Sequence, residues 1–146
     1  MKILCFILIC VLSSCNDRKQ PEVVHRPSKV AEERVCYQYA DEKDIILITL
    51  IKNNDSFTGT LSYNWFEKDD NFGNLKGHFR DSLLIADYFF RSEGVFSVRQ
   101  VVFKQKGASL VEGFGEVIQG RGKIMFKNVD LLDFSHSLVL HKITCK

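Results

Sequence analysis

Apolar and polar residues alternate with a period of two along much of the chain after residue 35. In the stretch FTGTLSYNWF, Phe57, Leu61 and Tyr63 fall on one face, whereas Thr58 and Thr60 fall on the other. This alternation is typical of antiparallel strands that bury one face and leave the other in water. It predicts about nine strands, at residues 36–40, 44–52, 57–66, 73–80, 83–91, 95–104, 109–118, 121–127 and 136–145.

Short turn sequences separate these strands, among them KNNDS, EKDDNFG, KQKGA and QGRG, and no long helical pattern interrupts them. Gly59 and Gly77 share faces with large apolar residues, where a glycine relieves crowding on the concave side of a bent strand. We therefore predict an all-β fold, an antiparallel up-and-down meander of about 8–9 strands that forms a closed or nearly closed barrel. A two-sheet β-sandwich is the alternative.

The N-terminus has a different pattern, in which Lys2 precedes an uninterrupted apolar run from residue 3 to residue 12. The run is too short to span a bilayer, which needs about 20 apolar residues, and it fits a signal peptide. Leu12, Ser13, Ser14 and Cys15 resemble the lipobox of bacterial lipoproteins, whose cysteine is acylated and becomes the new N-terminus. The alternative is an ordinary signal peptide that happens to contain a cysteine.

These patterns divide the chain into three segments. Residues 1–14 form the predicted lipoprotein signal peptide, residues 15–34 the lipidated cysteine and a flexible tether, and residues 35–146 the β-barrel domain. Both prolines of the chain lie in the tether, whereas all nine glycines lie after it. We expect the N-terminal lipid to anchor the protein in the cell envelope, in the outer membrane, with the domain facing the periplasm or the cell surface.

Removal of the signal peptide divides the five cysteines into three groups. Cys5 and Cys10 leave with the signal peptide, and Cys15 carries the lipid. Cys36 and Cys145 remain as an even pair in an exported, oxidising compartment, which predicts a disulfide between the two ends of the domain. Closing a loop of about 100 residues stabilises a fold by about 4–5 kcal/mol in the chain-entropy model. Two free buried thiols are the alternative.

Charge and motifs argue against several function classes. The net charge of +2 gives no electrostatic case for nucleic-acid binding. The sequence contains no G-x-S-x-G motif, phosphate-binding glycine loop or zinc-ligand spacing, so we predict no enzyme activity, no cofactor and no metal. A hydrolase would require His78 or His141 beside a carboxylate in a cleft.

Charged residues among aromatics in LLIADYFFRSEGVFSVRQVVF give the strongest indication of a binding site. Barrel mouths often hold ligands between apolar walls that carry a few fixed polar groups. Arg99 and Glu112 fall on neighbouring predicted strands, and Tyr88 lies near them. The candidate ligand-binding residues are Trp65, Asp87, Tyr88, Glu93, Arg99 and Glu112. The alternative is that these charges pair across the sheet or point outward and keep the barrel soluble.

A wider set of motifs carries a family resemblance. The lipobox and tether, followed by CYQY, FTGTLSYNWFEKD, LLIADYFFRSEGVFSVRQVVF and LVEGFGE, resemble a family of small lipoproteins from Bacteroidetes-type bacteria. The resemblance covers nearly the whole chain and implies a lipid-anchored, lipocalin-like barrel without a specific activity. The matching motif residues are Ala86, Asp87, Tyr88, Ser92, Glu93, Gly94, Arg99, Glu112, Gly113 and Gly115.

More loosely, the chain is similar to lipocalins and to small lipoprotein barrels that inhibit lysozyme. It lacks the G-x-W motif of lipocalins, because Tyr63 and Asn64 precede Trp65, and it lacks the Ser-Gly-x-x-Tyr loop of the inhibitors. We therefore expect a monomeric, non-catalytic domain that binds a small apolar ligand. A protein-interaction or inhibitor module of the envelope is the alternative, and a hydrolase is the third.

Replacement of Cys15 tests the lipid anchor. We expect Cys15→Ala to leave an uncleaved, unlipidated precursor, because acylation and cleavage both depend on this cysteine. Labelling with a radioactive fatty acid and immunoblotting of membrane fractions measure the two steps. Cys10→Ala changes a cysteine of the signal peptide and is the control, which should be processed normally. Normal processing and membrane attachment of Cys15→Ala would refute the lipoprotein prediction.

Overall fold

The structure, a computed structural model, describes residues 32–92 and 94–146. The predicted signal peptide, Cys15 and the tether up to residue 31 lie outside the described residues. Within the described ranges the chain consists mainly of strands, and the single helical element is a short 3₁₀ turn at Val129–Leu131. No helix of this part is long and apolar enough to cross a membrane.

Ten strands form one sheet. The first six, β1 to β6, lie at Glu33–Ala40, Ile45–Asn53, Ser56–Asn64, Asn71–Arg80, Leu83–Ser92 and Val95–Lys106. The last four, β7 to β10, lie at Ser109–Glu112, Val117–Gly120, Lys123–Phe126 and Val139–Ile143. Each predicted strand has one counterpart, except that the predicted strand 109–118 is divided into β7 and β8.

This division has a packing cause. The ring of Phe134 and the side chain of Leu132 lie so close to Gly113 that a Cβ at this position would meet them. Phe114 then pairs with Asp133 in an isolated bridge. The chain after β7 therefore packs against the segment that returns towards β10, and it does not continue as a regular strand.

Eight strands close into a barrel in the order β1-β2-β3-β4-β5-β6-β7-β10, with β6 also paired to β5. Every neighbouring pair in this ring is antiparallel, and β10 pairs with both β1 and β7. Consecutive strands are neighbours except at β10, which follows an insertion that carries β8 and β9. The predicted all-β meander barrel is confirmed, and the fold is not a two-sheet sandwich.

Inward-facing residues from all eight barrel strands fill the barrel. Their side chains are 0–4% exposed, so the middle of the barrel is packed. This agrees with the geometry of eight-stranded barrels, whose interior is about wide enough for side chains to fill. The buried set is Val35, Tyr37, Ile46, Ile48, Leu50, Phe57, Leu61, Tyr63, Leu75, Leu84, Ala86, Tyr88, Val101, Phe103, Leu110 and Leu140.

Gly59 and Gly77 lie on the inward faces of β3 and β4, as the alternation predicts. A Cβ at Gly59 would overlap the carbonyl oxygen of Thr49 on β2, and a Cβ at Gly77 would overlap that of Ile85 on β5. Close backbone approach at these two positions lets the strands bend tightly around the core.

The barrel wall is incomplete at one end. We call the end with the β1–β2, β3–β4 and β5–β6 connections the mouth. Strand β7 is only four residues long and stops before the mouth. Its ladder with β6 ends where Glu112 pairs with Phe103. Farther towards the mouth, β6 is joined by β9 in parallel, through Arg99 and Ile124. The hairpin of β8 and β9, which we call the flap, lies outside the ring and leaves an open seam between β6 and β10.

Cys36 on β1 and Cys145 after β10 are paired, with their Cα atoms 5.3 Å apart, a separation typical of a disulfide. The bridge lies beside the β1–β10 ladder, in which Cys36 is the partner of Ile143. The two cysteines are 109 positions apart in the chain. The predicted pairing therefore fastens the first strand of the barrel to its last.

Removal of the disulfide tests how far barrel closure depends on it. We expect Cys36→Ser/Cys145→Ser to lower the free energy of unfolding by up to about 4–5 kcal/mol, because the crosslink restricts the unfolded chain. Urea unfolding followed by circular dichroism, with and without reductant, measures the change. Reductant should destabilise the wild type and leave the double variant unaffected. Equal unfolding midpoints for the two proteins would contradict this expectation.

Candidate functional site

Four polar side chains meet inside the barrel near the mouth, those of Tyr63, Tyr88, Arg99 and Glu112. They belong to β3, β5, β6 and β7, and each lies two positions from an inward-facing core residue of its own strand. Because side chains alternate between the two faces of a strand, all four are aimed into the barrel. We call these four residues the polar cluster.

Aromatic rings surround the guanidinium of Arg99. Its central carbon lies 5.3 Å from the ring centroid of Tyr63 and 5.5 Å from those of Tyr88 and Phe90. These cation–π contacts stabilise the positive charge. Among the described residues, Arg99 has no carboxylate within 4.0 Å, and its buried Nε has no hydrogen-bond partner. Cation–π contacts therefore hold Arg99 in place, and no acceptor among the described residues pairs with it.

Glu112 is the last residue of β7, and its carboxyl group lies inside the barrel. Its Oε1 accepts a hydrogen bond of 2.7 Å from the Tyr63 hydroxyl. Burial raises the pKa of Glu112, although the hydrogen bond from Tyr63 and the charge of Arg99 oppose this shift. Burial also raises the pKa of Tyr63 well above its ordinary value, and that of Tyr88 to about 12. Both phenols therefore remain protonated at neutral pH.

Two stacked ring pairs flank the polar cluster. The rings of Trp65 and Tyr63 stack with centroids 5.9 Å apart, and those of Phe90 and Tyr88 stack at 4.7 Å. Tyr88 is fully buried, and its hydroxyl has no hydrogen-bond partner within the described part of the chain. A buried hydroxyl without a partner is destabilising, so this arrangement is unfavourable for folding alone.

The open seam forms a cleft of about 260 Å³ beside Arg99 and Glu112, which we call the seam cleft. Its walls are β6, the residues after β7 and the inward face of the flap. A smaller space of about 110 Å³ lies next to Trp65 and shares Glu112 and Phe114 with the seam cleft. The remaining residues of the seam cleft are Gln100, Val101, Gly113, Gly115, Val117, Ile124 and Phe126.

A larger depression of about 370 Å³ lies on the surface of the insertion, at Glu116, Lys127, Asn128 and Leu131. Lys127 Nζ lies 3.1 Å from Glu116 Oε2, so the charges at this depression pair with each other. None of the buried, partnerless polar atoms in the described ranges belongs to it. The seam cleft is therefore the better candidate for a binding site.

Two polar contacts on the outer face of the barrel hold the flap against it. Lys123 of β9 forms an ion pair with Asp87 of β5. The backbone N–H of Phe126 donates a hydrogen bond of 3.1 Å to Gln100 Oε1. Asp87 therefore faces away from the polar cluster and positions the flap from outside.

The structure thus brings together four of the six predicted ligand-binding residues, Trp65, Tyr88, Arg99 and Glu112. It does not bring Asp87 to them, and Glu93 lies outside the described residues. Tyr63 is a member of the polar cluster that the sequence-based prediction omits. The available signal was its position two residues before Trp65, on the face predicted to be apolar.

The histidines of the predicted hydrolase alternative lie away from the cluster. His78 is exposed on β4, and His141 Nδ1 lies 3.2 Å from the Oγ of half-buried Ser109. Neither histidine has a carboxylate within 4.0 Å among residues 32–92 and 94–146. The same residues contain no group of three His, Cys, Asp or Glu side chains that could hold a metal ion.

Comparisons with protein-family models, with curated proteins and with solved structures find no match for this chain. The barrel fold by itself is compatible with many activities. The function must therefore be argued from the geometry and chemistry of the seam cleft.

Glu112→Gln tests the electrostatics of the polar cluster. Burial raises the pKa of Glu112, so the folded protein binds this proton more tightly than the unfolded chain does. The associated stability is complete below the ordinary glutamate pKa and is lost as the pH rises through the folded-state pKa. We expect the free energy of unfolding of Glu112→Gln to increase relative to wild type as the pH rises from the ordinary glutamate pKa through the raised folded-state pKa of Glu112.

Urea unfolding at several pH values measures this difference. Glu42→Gln removes an exposed carboxylate from the β1–β2 turn and is the matched control. The pH-dependent gain should be larger for Glu112→Gln than for Glu42→Gln. A difference between Glu112→Gln and wild type that stays constant, or shrinks, as the pH rises would contradict the expectation.

Proposed function

We propose that this protein is a lipid-anchored lipoprotein of the cell envelope whose barrel binds a small, mainly apolar ligand in the seam cleft and catalyses no reaction. The observation that carries the proposal is the composition of the cleft wall. Two ionisable groups, Arg99 and Glu112, stand in a wall that is otherwise mainly apolar. Ligand sites in proteins have this character, with a few placed polar groups in an apolar concavity. The apolar part of the wall comprises Val101, Phe114, Val117, Ile124 and Phe126.

The packing of the core supports a ligand site at the seam and not in the middle of the barrel. Side chains occupy the middle of the barrel, whereas the seam cleft has a volume of about 260 Å³. This volume corresponds to roughly nine water molecules at about 30 Å³ each. A short alkyl chain or a single ring fits such a space, whereas a whole phospholipid does not.

The lipid anchor at Cys15 is supported by the lipobox and by the family resemblance of the sequence. Several acyl chains on one N-terminus give stable membrane attachment, which a single chain does not. The first strand begins at Glu33, at the end of the barrel opposite the mouth. The entry of the chain into the barrel and the seam cleft therefore lie at different ends of the domain.

A protein-interaction or inhibitor module is the second candidate, because aromatic side chains are exposed on the outer face near the mouth. Phe72 on β4, Phe89 on β5 and Phe96 on β6 are 63%, 42% and 77% exposed. The Arg91 guanidinium carbon lies 4.4 Å from the Phe96 ring centroid. Contiguous exposed apolar surface often marks an interaction site. In this case a partner would bind outside the barrel and would not use the seam cleft.

A neutral apolar probe tests binding in the seam cleft. We expect 1-hexanol to bind the mature lipoprotein in phosphatidylcholine vesicles and to change the fluorescence of Trp65, the single tryptophan of the chain. Equilibrium dialysis against protein-free vesicles gives the free concentration of the probe. Val117→Asp should weaken binding about tenfold or more, because it places a charge in the apolar wall.

Ile118→Asp is the matched control for this variant. Ile118 is exposed beside Val117 on the flap but is not part of the cleft wall, so the control should bind 1-hexanol like the wild type. Equal losses in the two variants would contradict the assignment to the seam cleft. Absence of binding to the wild type would contradict ligand binding itself and favour the interaction module.

A further inference from the structure

We propose that the ligand of the seam cleft is a small amphiphilic carboxylic acid, with its carboxylate on Arg99 and its apolar body against the flap. This inference rests on the proposed function and adds the chemical class of the ligand. It is carried by one juxtaposition, a cation without an acceptor at the wall of a mainly apolar cleft.

Arg99 has the geometry and the free donors to bind an anion. A guanidinium presents five N–H donors in a planar fork that matches the two oxygens of a carboxylate. The rings of Tyr63, Tyr88 and Phe90 surround the cation at 5.3–5.5 Å and restrict its position. Within the described part of the chain, no hydrogen bond or ion pair occupies its buried Nε. A ligand carboxylate would give an acceptor to the part of Arg99 that lines the cleft.

The other charged and amide side chains near Arg99 already have partners, and the partnerless Tyr88 hydroxyl does not line the cleft. Gln100 Oε1 accepts a hydrogen bond from the backbone N–H of Phe126, and Glu112 Oε1 accepts one from Tyr63. Asp87 pairs with Lys123 on the outer face and does not reach the cleft. Arg99 is therefore the charged group of the cleft that most needs a ligand atom.

The two ionisable groups of the cleft favour an anionic over a cationic ligand. The guanidinium of Arg99 carries a positive charge and would repel a ligand cation placed beside it. Glu112 would attract such a cation, but burial disfavours its charged form, and Tyr63 already satisfies one of its oxygens. A ligand anion therefore meets the positive charge of Arg99, opposed by a carboxyl group whose charged form burial disfavours.

The apolar wall determines the remainder of the ligand. Val117, Ile124 and Phe126 present one side of the flap to the cleft, and Phe114 adds a ring to the wall. Burying apolar ligand surface against these side chains favours binding in proportion to the area covered. Acetate has no body to cover them, whereas an acid with about six carbons suits a cleft of about 260 Å³.

Three six-carbon probes that differ in head group test the effect of charge, and acetate tests a carboxylate without an apolar chain. We expect hexanoate to bind the mature lipoprotein in phosphatidylcholine vesicles at least about tenfold more tightly than 1-hexanol, because a charge-assisted pair with Arg99 is added. Hexylamine and acetate should both bind more weakly than hexanoate. Trp65 fluorescence, with free probe measured by equilibrium dialysis, gives all four affinities.

Variants of Arg99 assign the preference to this side chain. Arg99→Met keeps an unbranched apolar stem and removes the charge, so it should lower the affinity for hexanoate about tenfold and leave that for 1-hexanol within about twofold. Arg99→Lys should retain part of the preference for the acid. Arg34→Met removes the same charge from the exposed end of β1, away from the mouth, and should leave both affinities unchanged.

Three results would overturn the carboxylate assignment while leaving the proposed cleft intact. They are equal affinities of the wild type for hexanoate and 1-hexanol, an acid preference that survives in Arg99→Met, and stronger binding of hexylamine or acetate than of hexanoate. Loss of 1-hexanol binding in Arg99→Met would also count against it, because a purely structural role of Arg99 predicts that loss. Failure of every probe to bind the wild type would overturn the proposed function itself.

Discussion

Closure of the barrel depends on one short strand. The five residues of β10 form three residue pairs with β1 and three with β7, whereas β2 and β3 alone form nine. Without β10 the meander would have β1 and β7 as open edges, and unpaired edges are liable to pair with other chains. The Cys36–Cys145 bridge lies at this junction. The covalent link is therefore placed at the strand whose ladders are the shortest within the ring.

The shortness of β7 determines where the candidate site lies. Arg99, Val101 and Phe103 occupy one face of β6, and the latter two are core residues. In a barrel whose β7 continued to the mouth, Arg99 would be a charge enclosed by side chains. Because the β6–β7 ladder ends at Glu112, the guanidinium gains an open side towards the seam cleft. Aromatic rings cover its other sides, so the charge is held by cation–π contacts and remains accessible.

The alternation of residues predicted most of the fold but only part of the site. It assigned Gly59, Leu61 and Tyr63 to the inner face correctly, and the parity of the cysteines predicted the pair that joins β1 to the end of the chain. The alternation did not predict which side chains of β5 face inward, because the core residue Leu84 and the outward-facing Ile85 are both apolar and buried. The division of the predicted strand 109–118 arises from tertiary packing on Gly113, for which the local sequence gives no sign.

Asp87 and Tyr88 are adjacent on β5 but face opposite sides of the barrel wall. Asp87 contacts the flap on the outside, and Tyr88 belongs to the polar cluster on the inside. Asp87 pairs with Gln100 across the β5–β6 ladder, and Tyr88 pairs with Arg99. The first pair faces outward, where Asp87 contacts Lys123 and Gln100 contacts the backbone of Phe126. The second pair faces inward, where Tyr88 is buried and Arg99 lines the seam cleft. The Asp87–Lys123 ion pair therefore fixes the flap from outside the seam cleft, whereas Gln100 and Phe126, which form the second contact, also line the cleft. In the function that we propose, discrimination between ligands falls to the charge of Arg99 and to the apolar wall opposite it.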